Sequence, residues 1–220
     1  MRRFCTLRPG RVSYRQGLAF QEQLLLARRK GREDILLLLE HPPVITLGRR
    51  GQDAHLLTAS AELERLGLEV IHTARGGDVT YHGPGQLIGY PIVDLQCLNR
   101  DLHLYLRRLE EVLISTLAAF RIAGRRIEGK TGVWVGEEKI ASIGVGVRQW
   151  VTWHGFALNV SDQTAGFAHI VPCGLTGVAM TSLEELLGRR IALTEVEEQL
   201  ISSYANVFAS THAGAYEATT

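Results

Sequence analysis

The sequence holds little cysteine, little lysine and no long apolar run, and each shortage excludes something. Three cysteines in 220 residues, Cys5, Cys97 and Cys173, form an odd set at wide spacing without a CxxC pair. That excludes a dense disulfide framework and a zinc-ribbon pattern, and it fits reduced thiols in a reducing, cytoplasmic setting. The eight histidines contain no HxxxH pair, so neither a metal site nor a metal cofactor is expected. The longest plainly aliphatic stretch, Ile35 to Leu39, is far too short for a membrane span. A net charge of +1 gives no overall field to attract nucleic acid. What remains, 45% hydrophobic and 21% charged residues, is the composition of a soluble globular chain long enough for one substantial core. The first 21 residues carry five arginines and no acid, but they run directly into a helix and are taken as folded protein, not as a targeting segment.

Local patterns set out the elements. A short strand is expected over residues 4–8, then a helix capped by Ser13 and closed after Lys30 by Gly31. Asp34 to Glu40 and Val44 to Leu47 read as buried strands on either side of Pro42-Pro43, followed by a helix over 59–66 and a strand over 68–72. A glycine-rich stretch, 75–89, leads into apolar residues 88–95. Leu102, Leu106, Leu109, Leu113 and Leu117 recur at steps of three and four and predict a helix from Asp101 to Phe120. Val133 to Val147 reads as a hairpin, with a further strand over 151–160. Ser182 with Glu185 and Thr194 with Glu197 have the spacing of capping boxes opening the last helices. Residues 210–220 are small and polar and are expected to fray. Strands in clusters with helices between them predict an α/β (α+β) fold, a mixed and largely antiparallel sheet flanked by helices.

Gly124 to Thr131, G-R-R-I-E-G-K-T, satisfies the phosphate-loop pattern letter for letter. That loop works only between a strand and a helix, whose amides face the phosphates. Here a helix precedes it and a strand follows, so it is read as a chance match.

Three segments are better candidates for chemistry. Arg75 to Gln86 (RGGDVTYHGPGQ) sets four glycines among polar side chains, as a backbone that approaches a ligand closely requires, although a tight turn into a strand would also use them. In Lys139 to Gly146 (KIASIGVG), alternation places Lys139 on one face with Ala141, Ile143, Val145 and Val147. Only three lysines stand against 21 arginines. A cation needed only for its charge is written Arg in this chain, whereas a group that must lose a proton cannot be. A solvated lysine after a turn is the plain alternative. Pro172-Cys173-Gly174 puts a thiol in a loop, where a neighbouring cation can promote its ionisation and attack on a thioester or ester. A structural cysteine is again the alternative, and Cys5 and Cys97, with strand-like flanks, fit that inert role better.

Together these segments resemble the lipoyl(octanoyl) transferases. RGGDVTYHGPGQLIGYPIVDL at 75–95 is similar to the family's signature loop and strand, and GVWVGEEKIASIGVGVRQWVTWHGFALNV at 132–160 to its central hairpin, followed by PCG at 172–174. The helix around Tyr14 and HPPVITLGRRG at 41–51 also fit. The resemblance implies the catalytic domain shared with biotin and lipoate protein ligases, over residues 1–209 as a single unit. It implies Cys173 as thioester nucleophile and Lys139 as its acid/base partner. An acyl pocket would be lined by Arg75, Gly76, Gly77, Asp78, Val79, Thr80, Tyr81, His82, Ser142, Ile143, Gly144, Gly155, Phe156 and Ala157, with His154 in a secondary role.

The resemblance further implies octanoyl-acyl carrier protein as donor, and as acceptors the lipoyl domains of 2-oxoacid dehydrogenase complexes and the glycine cleavage H protein, with no nucleic acid, membrane or cofactor involved. An ATP-dependent lipoate or biotin ligase, a non-catalytic acyl- or carrier-binding module and a cysteine hydrolase are the alternatives. None of the three matches Cys173 and Lys139 together so well.

Overall fold

The computed structural model describes residues 2–161 and 164–217. The chain opens with β1 (Arg2–Arg11), α1 (Tyr14–Arg29), β2 (Asp34–Glu40) and β3 (Val44–Leu47). It continues through α2 (Ser60–Arg65), β4 (Glu69–His72), β5 (Val79–His82), β6 (Gln86–Ile92) and α3 (Leu102–Ala119). The second half holds β7 (Arg125–Ile127), β8 (Lys130–Val135), β9 (Glu138–Arg148), β10 (Val151–Asn159), α4 (Leu183–Leu187), α5 (Leu193–Val207) and β11 (Ser210–Ala215).

Eight strands form one sheet in the order β11-β1-β2-β6-β10-β9-β8-β7, and β4-β3-β5 form a smaller one. β1 runs parallel to both β11 and β2, and every other neighbouring pair of the large sheet is antiparallel. The expected mixed, largely antiparallel sheet flanked by helices is therefore what forms.

The run Ile35 to Leu39 explains the layering. A strand apolar on both faces must be covered on both. Leu36 and Leu38 pack with Leu109, Leu113 and Leu117 of α3 and Leu200 and Tyr204 of α5, whereas Ile35, Leu37 and Leu39 pack with Leu24 and Leu25 of α1. α1 starts where Ser13 and Gln16 complete a reciprocal cap, and α3 where Asp101 accepts from the Leu104 amide at 2.9 Å. The small sheet builds its own core from Ile45, Leu47, Val79, Tyr81, Phe167 and Ile170, and its Val44 and Ile71 pack with Tyr14 of α1.

Four expectations need correction. Residues 210–215 do not fray: β11 takes the free edge of β1, with His212 Nε2 3.1 Å from Thr6 Oγ1 and the Tyr216 amide donating to the Thr6 carbonyl at 2.7 Å. Residues 218–220 lie outside the described part. α5 opens at Ala192, whose carbonyl accepts from Glu195, so Thr194 is inside the first turn and forms no cap. Val79–His82, inside the glycine-rich stretch, is a full strand. The reading of Gly124 to Thr131 as a chance match holds, since it is the β7–β8 hairpin with Ile127 opposite Lys130.

The fourth correction concerns Lys139. Val133 pairs with Ala141 but Trp134 with Lys139, so Ile140 is an extra residue, a β-bulge. Ile140 and Ala141 both join the helix-facing core with Val133, and Lys139 turns to the opposite face with Trp134. Strict alternation across 139–147 fails because of that one residue.

Leu113 is fully buried between α3 and the sheet. Leu113→Ala is expected to lower stability by about 2–5 kcal/mol, read as a reduced urea midpoint with an unchanged slope.

Candidate active site

The bulge brings Lys139 to Cys173. Lys139 Nζ lies 3.1 Å from Cys173 Sγ. The lysine is 1% exposed, and its amine sits 5.4 Å from the centre of the Trp134 ring. Its backbone is held by a short parallel bridge: the Lys139 amide donates to Ala179 O at 2.9 Å, and the Thr181 amide donates to Lys139 O at 3.1 Å. Gly132 makes room for the stem, since a Cβ there would stand 2.7 Å from Lys139 Cε.

Cys173 occupies a one-turn 3-10 segment, Pro172–Gly174, with φ 58° and ψ 17°. A non-glycine residue in the left-handed region carries strain of about 1–3 kcal/mol, so its surroundings must impose it. Gly174, at φ +68°, allows the turn to sit against Asp78, because a Cβ at Gly174 would be 2.6 Å from Asp78 Oδ2. That same oxygen is 2.6 Å from His55 Nδ1. The Val171 amide donates to His55 O at 2.8 Å, which ties the strand-like approach to the turn to the same segment.

Cys173 opens on a narrow cleft. Of the expected site residues, Arg75, Gly77, Asp78, Thr80, His82, Ser142, Ile143, Gly144, His154, Gly155, Phe156 and Ala157 line it. Gly76, Val79 and Tyr81 do not. β5 alternates, so Thr80 and His82 face the cleft while Val79 and Tyr81 fill the small-sheet core. Gly76 instead pins the loop to β9, its amide donating to Val145 O at 2.7 Å. Gly144 and Gly155 are direct cross-strand partners in β9 and β10. A Cβ on Gly144 would strike Gly76 O at 2.7 Å, and one on Gly155 would strike Gly89 O at 2.1 Å, so both positions depend on having no side chain.

Tyr14 and Tyr90 also line the cleft and were not foreseen there, and His41 supports them from behind. The only sequence signal was Tyr14 at the start of α1; β6 hid Tyr90 inside an apolar run. His41 Nε2 is 2.8 Å from Tyr90 Oη, and its Nδ1 is 2.8 Å from Val12 O. Since a carbonyl can only accept, neutral His41 carries its proton on Nδ1 and accepts from the tyrosine.

A second chain runs from His82 Nδ1 to Gln86 Oε1 (2.8 Å), from Gln86 Nε2 to Asn159 Oδ1 (2.9 Å), and from Asn159 Nδ2 to Thr181 O (2.9 Å). It links the glycine-rich loop to the 179–181 segment that holds the Lys139 backbone. Burial holds His41 at about 4. It holds His82 and His154 at about 3, with help from the neighbouring His41 for the former and Arg75 for both. All three are neutral at physiological pH. His154, at φ 55° within β10, is a second strained residue of the site.

Arg75 is buried beneath the loop. It donates through Nε and Nη2 to Thr46 Oγ1 (3.1 and 2.9 Å), through Nη2 to Thr46 O (2.6 Å) and through Nη1 to Gly76 O (3.0 Å). Cys5, by contrast, donates to Glu33 at 3.2 Å, and burial together with that carboxylate pushes its thiol up to about 11, an inert state. Among the described residues, no three His, Cys, Asp or Glu side chains gather as a metal site.

The histidines generate a prediction. Each is neutral when folded and binds a proton once unfolded below about pH 6.5. The unfolded chain then holds more protons, so stability falls as pH drops from about 6.5 toward the folded values near 3 to 4. Urea midpoints are expected to decline steadily from pH 7 to pH 5, and His82→Gln is expected to make that slope about a third shallower.

Residues 13–205 match the family described as the lipoyl protein ligase A/B catalytic domain. A Solibacter usitatus protein named octanoyltransferase is 52% identical over 209 residues, covering 94% of each chain. One of the same name from Geobacter metallireducens is 48% identical over 196 residues, 89% of each. The fold is that of lipoate-protein ligase A solved with ATP (TM-score 0.78, 18% identity, covering 98% of this chain and 90% of that one). It is also that of a putative lipoate protein ligase from Thermoplasma acidophilum solved with lipoic acid (TM-score 0.76, 18% identity, 99% and 90%). This chain is thus a member of the lipoyl protein ligase A/B catalytic domain family.

Proposed function

We propose that the chain is an octanoyltransferase that carries the acyl group as a thioester on Cys173, taking it from octanoyl-acyl carrier protein and giving it to a lysine of a lipoyl domain. The observation that carries the proposal is the 3.1 Å contact between Lys139 Nζ and Cys173 Sγ at the mouth of a cleft. The names of the relatives support octanoyl transfer, and the cleft offers a place for the tail.

In the first half-reaction Lys139 accepts the Cys173 thiol proton, and the thiolate attacks the donor carbonyl. A carbon–sulfur bond forms and the carbonyl π electrons move to oxygen. Collapse breaks the bond to the carrier sulfur, which leaves with the proton held by Lys139. In the second half the acceptor amine attacks the acyl-enzyme, Lys139 takes a proton from the nitrogen, and Cys173 leaves and recovers it. The product is an amide, and no ATP is consumed because the thioester already supplies the driving force.

The glycine pair Gly144–Gly155 and the apolar Ile143, Phe156 and Ala157 hold the tail. Each methylene they bury contributes about 0.8 kcal/mol. Acceptors of this chemistry are lipoyl domains of 2-oxoacid dehydrogenase complexes and the glycine cleavage H protein, and a reducing cytoplasm keeps Cys173 available as a thiol. Among the described residues no helix is long and apolar enough to cross a membrane.

Incubation with octanoyl-acyl carrier protein and no ATP is expected to add one octanoyl mass to the wild type, labile to hydroxylamine. Cys173→Ser should give no hydroxylamine-labile adduct, and Lys139→Ala should acylate at least about 100-fold more slowly. An unmodified wild type, with amide formed only from free acid and ATP, would point to a ligase instead.

A further inference from the structure

We infer that Arg75 is the fixed positive charge of this site, the group that supports the anion on Cys173 and on the reacting carbonyl while Lys139 takes up and gives back its proton. The inference rests on Cys173 being the nucleophile. Arg75 is 7% exposed. All four of its hydrogen bonds go to neutral oxygens, of Thr46 and Gly76. Among the described residues no carboxylate lies within ion-pair distance of it. Asp78, close by in the loop, is engaged by His55 at 2.6 Å. A buried cation with no carboxylate paired directly to it is costly, and a fold that keeps one has a use for the field it makes.

The field falls on the cleft, because Arg75 lines it together with Cys173. The guanidinium lies against the bare α-carbons of Gly77 and Gly144, where a Cβ would meet Nη1 at 3.4 and 3.5 Å. The same charge helps to keep His82 and His154 neutral, whereas burial disfavours the guanidinium charge and Tyr14, Cys173, Tyr90 and Asp78 favour it.

The two cations divide the work by their chemistry. Lys139 supplies a mobile proton, and once the leaving thiol has taken it the amine is neutral. Guanidinium does not deprotonate in proteins, so Arg75 remains charged through every step. Thr46 holds it by hydroxyl and carbonyl together, so the charge is in place before the oxyanion forms and little reorganisation is needed. Arg75 acts through the field at Cys173 and is a positioning residue in that sense.

The test uses the enzyme alone. Cys173 is alkylated with iodoacetate, an anion, and with iodoacetamide, its neutral counterpart, and each product is measured by peptide mass spectrometry. Exposed Cys97 is the internal reference. In the wild type the iodoacetate-to-iodoacetamide ratio at Cys173 should exceed that at Cys97. Arg75→Met and Arg75→Gln should lower it roughly tenfold, and Arg75→Lys should restore it. An unchanged ratio in a folded Arg75→Met or Arg75→Gln enzyme, judged by circular dichroism, overturns the inference.

Should neither of those variants fold, Lys139→Met leaves Arg75 as the cation beside Cys173. Its ratio should stay several-fold above that of Cys97, and a ratio equal to Cys97 overturns the inference. No acyl donor is present, so a wild type that shows the anion preference yet forms no octanoyl adduct contradicts the acyl-transfer proposal and leaves the charge assignment intact.

Discussion

A lysine amine with almost no access to water is stable only if its surroundings receive its hydrogens, and here the receiving atom is the sulfur of Cys173. Much of the local structure can be read as a means of keeping that contact. The bulge at Ile140 turns Lys139 out of the helix-facing core, Gly132 leaves the space its stem fills, and the 179–181 segment holds its backbone from the other side. On the opposing side Cys173 accepts a left-handed conformation that costs free energy, and Gly174 lets the turn seat against Asp78 and His55. Two strained or irregular pieces of backbone, far apart in sequence, are held by the two sheets so that their side chains meet.

The cleft beneath them combines absence with polarity. Glycines at 77, 144 and 155 leave out side chains that would strike Arg75, Gly76 O and Gly89 O, and neutral histidines and buried tyrosines provide polarity without charge. Charge is confined to a few places: Arg75 without a carboxylate, Asp78 with His55, and Lys139 with the thiol. The hydrogen-bond chain from His82 through Gln86 and Asn159 to Thr181 makes loop and dyad one rigid unit, so a change in the loop is felt at Lys139.

Elements with strong periodicity or caps were legible in the sequence. α3 follows from its leucine spacing and Asp101, α1 from Ser13 and Gly31, and β2 from an aliphatic run that needs cover on both faces. β11 was not legible, because Ser210 to Ala215 has small side chains without an apolar alternation and forms a strand only because β1 offers an edge. β7 was masked by a chance phosphate-loop string. Cys173 and Lys139 could be picked out by residue type and flanks, but only the family resemblance paired them, since alternation placed Lys139 on the wrong face and a single extra residue reversed it. Tyr14, Tyr90 and His41 come together from α1, β6 and the start of the β2–β3 turn, a proximity only the folded chain creates.

The central claim is that the acyl group rests on Cys173 as a competent intermediate. The direct measurement is a single turnover from isolated acyl-enzyme: octanoylated protein is freed of donor by desalting, mixed with a lipoyl domain without ATP, and followed by intact mass. The account predicts that the octanoyl mass leaves the enzyme and appears on the domain as a hydroxylamine-stable amide, one for one and in a single exponential. An acyl-enzyme that persists, or that only hydrolyses while the domain stays unmodified, would contradict it.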